Sequence, residues 1–96
     1  MKPTISYNDD LLERLKKPAY AIKYLNICLE KGDDTDFLIA LRDVARSHGG
    51  LRTLAKKTGL NREHLFKMLS QSGNPRLQSI RQLTEALGFK LVLHAA

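Results

Sequence analysis

Cysteine is nearly absent from the chain: Cys28 stands alone among 96 residues. One thiol excludes an intramolecular disulfide and a cysteine metal cluster, and it suits a reducing compartment, so the cytoplasm is the expected location. Long apolar runs are missing as well. No stretch approaches the roughly 18 consecutive apolar residues of a membrane span, and the opening MKPTISYNDD lacks the apolar segment of a secretory signal. Neither a membrane partner nor a targeting address is expected. No internal repeat or low-complexity tract divides the chain, and its length fits one small domain with a terminal extension.

Catalytic patterns are lacking too. Ser47 and His48 are adjacent, so their side chains diverge on a helix, and no glycine loop or metal-ligand spacing accompanies them. His48, His64 and His94 are far apart in sequence and read as surface or packing residues. No enzyme activity, metal or cofactor is therefore expected.

What the chain does have is an uneven positive charge. Residues 1–34 carry six Lys/Arg against six Asp/Glu, whereas residues 35–96 carry ten against four, so the whole net charge of +6 falls in the second segment. A basic segment of this kind suits a phosphate-rich partner, although solvated basic faces also occur.

Short punctuation marks off a series of helices. Asp9 or Asp10 would cap a first helix through Lys16, and Pro18 suits the first turn of a second that runs to about Lys31. Thr35 or Asp36 would cap a third, whose Phe37, Leu38, Leu41, Val44 and Ala45 form one apolar stripe before Gly49-Gly50. A fourth covers about Leu51 to Thr58, a fifth about Arg62 to Ser70, and a sixth about Arg76 to Leu87 with Leu77, Ile80, Leu83 and Leu87 inward. The tail FKLVLH alternates as a strand would, and its partner would be the Thr4–Tyr7 run or another chain.

The stretch LAKKTGLNREHLFKML stops a helix at Gly59 and restarts another behind Asn61, a good N-cap. A glycine that tolerates positive φ, with Ala55 four residues before it and Leu54, Leu60, Leu65, Met68 and Leu69 around it, predicts a helix-turn-helix. An ordinary helical hairpin is the alternative. Stepping about 100° per residue from Leu65 places Met68 and Leu69 inward and Glu63, Phe66, Lys67 and Ser70 outward, with Arg62 on the flank. In a major groove, Arg62 would pair with guanine, Glu63 with cytosine, Phe66 with a thymine methyl, and Lys67 with phosphate or guanine. Each has a plainer reading: Asn61 as a cap that also touches phosphate, Glu63 as an acid favoured by the helix dipole, and Phe66 as a packing residue. Arg52, Thr53, Lys56 and Lys57 lie where phosphates would pass, and Asn74 and Arg76 flank the loop proline.

The second helix is apolar over more than half its circumference. Ala21, Ile22, Leu25, Cys28 and Leu29 form one face, and Tyr20, Tyr24 and Ile27 a second. The second face is a candidate protein interface with Tyr20 and Tyr24 as anchors, or it belongs to the domain's own core.

The segments YAIKYLNICLEKGD, FLIALRDVARSHGG, LAKKTGLNREHLFKMLSQSGNPRLQSI and LTEALGFKLVL together resemble the addiction-module antidote antitoxins, a HigA-like branch of the Xre/Cro helix-turn-helix proteins. Where that family often has serine and tyrosine, this chain has Asn61 and Phe66. The resemblance implies an all-α, five- to six-helix lambda-repressor-like fold, with a helical extension over 1–34 as a candidate partner or dimer interface and a helix-turn-helix DNA-binding domain over 35–96 that ends in a short C-terminal β-strand. It also implies a homodimer that neutralises a RelE/ParE-like toxin and represses its own operon on double-stranded DNA. A stand-alone dimeric regulator without a toxin is the alternative. RNA binding is disfavoured by the lack of a GxxG loop or an aromatic-bearing sheet.

Overall fold

The computed structural model describes the backbone from residue 7 and the side chains from residue 9, in both cases to residue 96. Six helices follow one another: α1 (Tyr7–Leu15), α2 (Pro18–Lys31), α3 (Asp34–Ser47), α4 (Gly50–Thr58), α5 (Arg62–Met68) and α6 (Leu77–Ala86). Their apolar stripes converge on α3, which packs against α1, α2 and α4, while α4 in turn packs against α5 and α6. The expected stripe on α3 is fully realised, with Phe37, Leu38, Leu41, Val44 and Ala45 all buried and Ala40 beside them. Leu11 and Leu15 of α1, Ala21 and Leu25 of α2, Leu54 of α4, Leu65, Met68 and Leu69 around α5, and Leu83 of α6 complete one continuous core. Residues 7–34 and 35–96 thus contribute to the same apolar interior.

Polar groups at helix ends knit these elements together. The third helix starts earlier than Thr35 or Asp36: Asp33 is its N-cap and accepts from the Asp36 backbone N–H at 2.9 Å, while Asp36 Oδ2 accepts from the Asp33 N–H at 3.0 Å. Asp36 is therefore the third residue of a reciprocal cap, and two otherwise orphaned donors are satisfied together. At the far end of α3, His48 Nε2 donates to the Leu15 carbonyl at 3.1 Å, which ties the C-terminus of α1 to that of α3. This gives His48 a packing role.

A buried polar pair joins α2 to α3. Tyr24 donates its hydroxyl to Asp43 Oδ2 at 2.9 Å, and Arg46 lies 3.8 Å from the other carboxylate oxygen. Asp43 is only 8% exposed, and the Tyr24 bond offsets part of the cost of removing a carboxylate from water. Tyr24 accordingly turns inward, contrary to its expected place on an outer face with Tyr20 and Ile27. The actual inner face of α2 is Ala21, Tyr24, Leu25 and Cys28, leaving Tyr20 and Ile27 exposed on one flank and Ile22 and Leu29 on the other.

Two further expectations are corrected. Leu77 is 69% exposed, because at about 100° per residue it lies roughly 120° around α6 from the buried Leu83. The tail contains no strand or bridge; indeed none occurs among the described residues. After α6, Phe89 N–H donates to the Thr84 carbonyl at 2.9 Å and closes the helix end, and the following residues have no ladder partner within the described chain. Of the proposed pairing run, residues 4–6 lie outside the described residues and Tyr7 opens α1. The period-two pattern survives in burial only over residues 89–92, where Phe89 and Leu91 are half-buried and Lys90 and Val92 exposed; Leu93, expected on the inner face, is 98% exposed.

Candidate nucleic-acid interface

The short connection between α4 and α5 fixes how the candidate residues are displayed. Gly59 has φ +76° and its N–H donates to the Ala55 carbonyl at 2.8 Å. A Cβ there would meet nothing within 4 Å, so glycine is required by backbone conformation and not by crowding. Thr58 explains its own polarity: its Oγ1 donates to the Leu54 carbonyl at 2.8 Å and accepts from the Leu60 N–H at 3.2 Å. One hydroxyl thereby bonds to backbone on both sides of the turn. Gln82 Nε2 of α6 then donates to the Thr58 carbonyl at 3.1 Å, bracing the turn from a third helix.

Beyond the turn, Asn61 Oδ1 accepts from the backbone N–H groups of Glu63 and His64, at 2.8 and 3.1 Å. The capping reading of Asn61 is thus satisfied in full by its oxygen. Capping starts a helix of seven residues, whose orientation is set by the buried Leu65 and Met68. Leu69, just past its end, is also buried.

The opposite face is open along its whole length. Arg62, Glu63, His64, Phe66 and Lys67 are all exposed, Phe66 at 58%. Phe66 is therefore not a core residue of this chain. It shares a shallow hollow with Leu51, Arg62, Glu63 and Lys67, so an apolar surface lies between a guanidinium, a carboxylate and an ammonium. Such a combination offers donors, an acceptor and methyl-sized apolar contact on one face. Ser70, expected on this face, lies beyond the end of α5, is half-buried and donates to the Lys67 carbonyl at 2.7 Å.

The loop before α6 adds a second concavity. Asn74 and Arg76 line it together with His64, Lys67, Ser72 and Ser79. Two residues singled out some distance apart in sequence are thereby brought beside Lys67. Gly73 makes this approach possible, since a Cβ on it would come within 2.0 Å of the Met68 carbonyl oxygen. His64 belongs with this group, although sequence reasoning assigned it only a surface or packing role. Its position three residues before Lys67 on a helix was the available signal.

The residues on α4 divide. Arg52 is exposed, as are Lys56 and Lys57, but Thr53 is half-buried and donates its hydroxyl to the Gly49 carbonyl at 2.9 Å. Thr53 thus supports the first turn of α4. Of the candidate partner residues, Tyr20 and Ile27 lie on α2 at the surface, 36% and 48% exposed, and Tyr24 does not join them. Among the described residues no cluster of His, Cys, Asp and Glu could hold a metal ion, and no helix is long and apolar enough to cross a membrane.

Among the described residues, six helices around one core, with a tightly turned pair displaying a polar and aromatic face, define a small all-helical domain. Comparison with known sequences then places it: residues 6–95 match the family described as probable addiction module antidote protein, and the chain belongs to that family. The family is one of antitoxins, which implies a toxin partner. An uncharacterized protein of Haemophilus influenzae is 32% identical over 81 residues, which cover 84% of this chain and 82% of the relative. No solved structure shows a significant match.

Proposed function

We propose that this antidote protein acts as a non-enzymatic, dimeric repressor and antitoxin, of the HigA-like and Xre/Cro kind. It binds its own operator through α5 and neutralises a RelE/ParE-like toxin in the cytoplasm. The observation that carries the DNA-binding part is the display of α5. A left-handed glycine turn, an asparagine cap and a buried Leu65 hold Arg62, Glu63, Phe66 and Lys67 outward from a segment that contains the chain's whole positive excess.

In this reading α5 enters the major groove as the recognition helix of a lambda-repressor-like domain. Arg62 reads guanine, Glu63 accepts from a cytosine amino group, and Phe66 touches a thymine methyl. Lys67, Asn74, Arg76 and Arg52 hold phosphates, while Asn61 and Thr53 set the helix ends that aim them. The exposed Tyr20 and Ile27 of α2 face the toxin. Toxin availability then tunes repression through mass action on two surfaces of one molecule.

The test joins co-expression with a DNA titration. The chain should protect cells from the small protein encoded beside it, and the purified chain should bind the promoter fragment of that gene pair. Arg62→Ala and Lys67→Ala should each weaken that binding at unchanged thermal stability. If both variants bind as well as the parent, the recognition face is wrongly assigned; if the neighbour is harmless, a stand-alone regulator remains.

A further inference from the structure

An apolar concavity lies away from α5, between the outer flank of α2 and the tail after α6. Its floor is Leu25, Phe37 and Phe89, and its lips are Ile22 and Leu29 on one side and Leu91 and Val92 on the other. Ile22, Leu29 and Val92 are 45%, 52% and 68% exposed, and the adjoining Leu93 is 98% exposed. Scattered exposed apolar residues are normal on a monomer; three large ones along the lips of one groove, with Leu93 next to them in the chain, mark a docking surface.

The two walls differ in charge. Glu30 lines the groove from α2, and Lys90 lines it from the tail. A surface with an acid on one wall and a base on the other is complementary to itself. Rotating a second copy about a two-fold axis that runs along the groove brings the α2 wall of each copy to the tail wall of the other, so Glu30 comes opposite Lys90 twice and the apolar lips cover one another. A partner of a single charge sign would match only one wall. Among the described residues neither Glu30 nor Lys90 has an ion-pair partner, unlike Asp10 with Arg14 and Glu13 with Lys16.

We infer that this groove is the homodimer interface, occupied by the same groove of a second copy through side-chain packing. The inference deepens the dimeric repressor reading above and rests on it for the purpose of the dimer. The arrangement leaves α5 and the Tyr20–Ile27 flank of α2 uncovered, so one dimer presents two recognition helices and two toxin-facing flanks.

Sedimentation equilibrium of the full chain, without DNA or toxin, tests the assignment. The parent should be dimeric, and Leu29→Asp should raise the dissociation constant by at least about tenfold. Leu77→Asp, at an exposed apolar residue of α6 outside the groove, should leave it unchanged. Glu30→Lys and Lys90→Glu should each weaken the dimer, and the double variant should recover most of the loss. Thermal melts establish that each variant is folded. A parent that is monomeric, or that gains mass only with toxin, overturns the inference, as does a dimer indifferent to both Leu29→Asp and the charge reversals. A chain that dimerises through this groove but binds no operator would refute the repressor reading alone, whereas an operator-binding dimer that tolerates Leu29→Asp would refute the groove alone.

Discussion

Single residues carry the polar interior of this small protein, and Tyr24 is the clearest case. Its hydroxyl donates to the buried Asp43 carboxylate at 2.9 Å, while Arg46 stands 3.8 Å from the other carboxylate oxygen. Tyr24→Phe removes that donor and leaves the carboxylate under-satisfied in place. The expected cost is about 1–3 kcal/mol in urea denaturation, against little change for Tyr20→Phe at the surface. Equal, small effects would show that Arg46 or water satisfies Asp43 unaided. Cys28 offers a second test at this scale. Burial of the thiol, and then the nearby carboxylates of Asp36 and Asp43, push its pKa above the ordinary thiol value. Each disfavours the thiolate, so at pH 8 the native chain should be alkylated more slowly than the urea-unfolded chain. The gap should close as pH rises through the raised value. A native rate equal to the unfolded rate would place Cys28 in a more open, less charged setting.

At the scale of elements, the turn between α4 and α5 decides what the surface can do. Gly59→Ala introduces no clash, since nothing lies within 4 Å of the added carbon, yet it demands a left-handed backbone from an L-residue. The expected loss is about 1–2 kcal/mol of stability, with DNA affinity reduced further if α5 is re-aimed to relieve the strain. Denaturation and operator titration of the same variant separate these effects. An unchanged melting temperature would mean that the turn relaxes cheaply. This element was legible in the sequence because its determinants are local: Gly59, the Asn61 cap and the spacing of Leu65, Met68 and Leu69 lie within one short stretch. The bounds of α2 were legible for the same reason, from Pro18 at its start. Non-local determinants were not. At about 100° per residue Tyr24 lies beside the inner Ala21 and Cys28 and Ile27 farther round, but the hydroxyl's partner, Asp43 on α3, is set by tertiary packing. Leu77 obeys the apolar spacing of α6 yet lies too far round the helix to reach the core. The tail alternates as a strand does, but a strand exists only with a paired neighbour, and alternation carries no information about one. Asn74 and Arg76 joined Lys67 through the loop geometry around Gly73, which no periodicity encodes.

On the scale of the whole molecule, separate surfaces allow separate duties. The recognition face proposed above lies on α5 and the loop before α6, whereas Tyr20 and Ile27 lie on α2, whose buried face packs on α3. Tyr20 and Ile27 are 36% and 48% exposed, so truncating both to alanine also gives up some packing, and thermal melts must show the double variant folded before its binding is read. Tyr24 is best left untouched in this experiment, since its loss would disturb Asp43 and confuse a binding defect with a folding defect. If the exposed flank of α2 holds the toxin, the double variant should fail to protect cells from it and bind it at least about tenfold more weakly, because aromatic anchors often carry more than 1 kcal/mol each. Its affinity for the operator should remain that of the parent. The reciprocal variant, Arg62→Ala with Lys67→Ala, should protect cells fully and bind operator poorly. Crossed results of this kind would establish two independent surfaces on one small core, while parallel losses in both assays would mean that toxin and DNA compete for the same face.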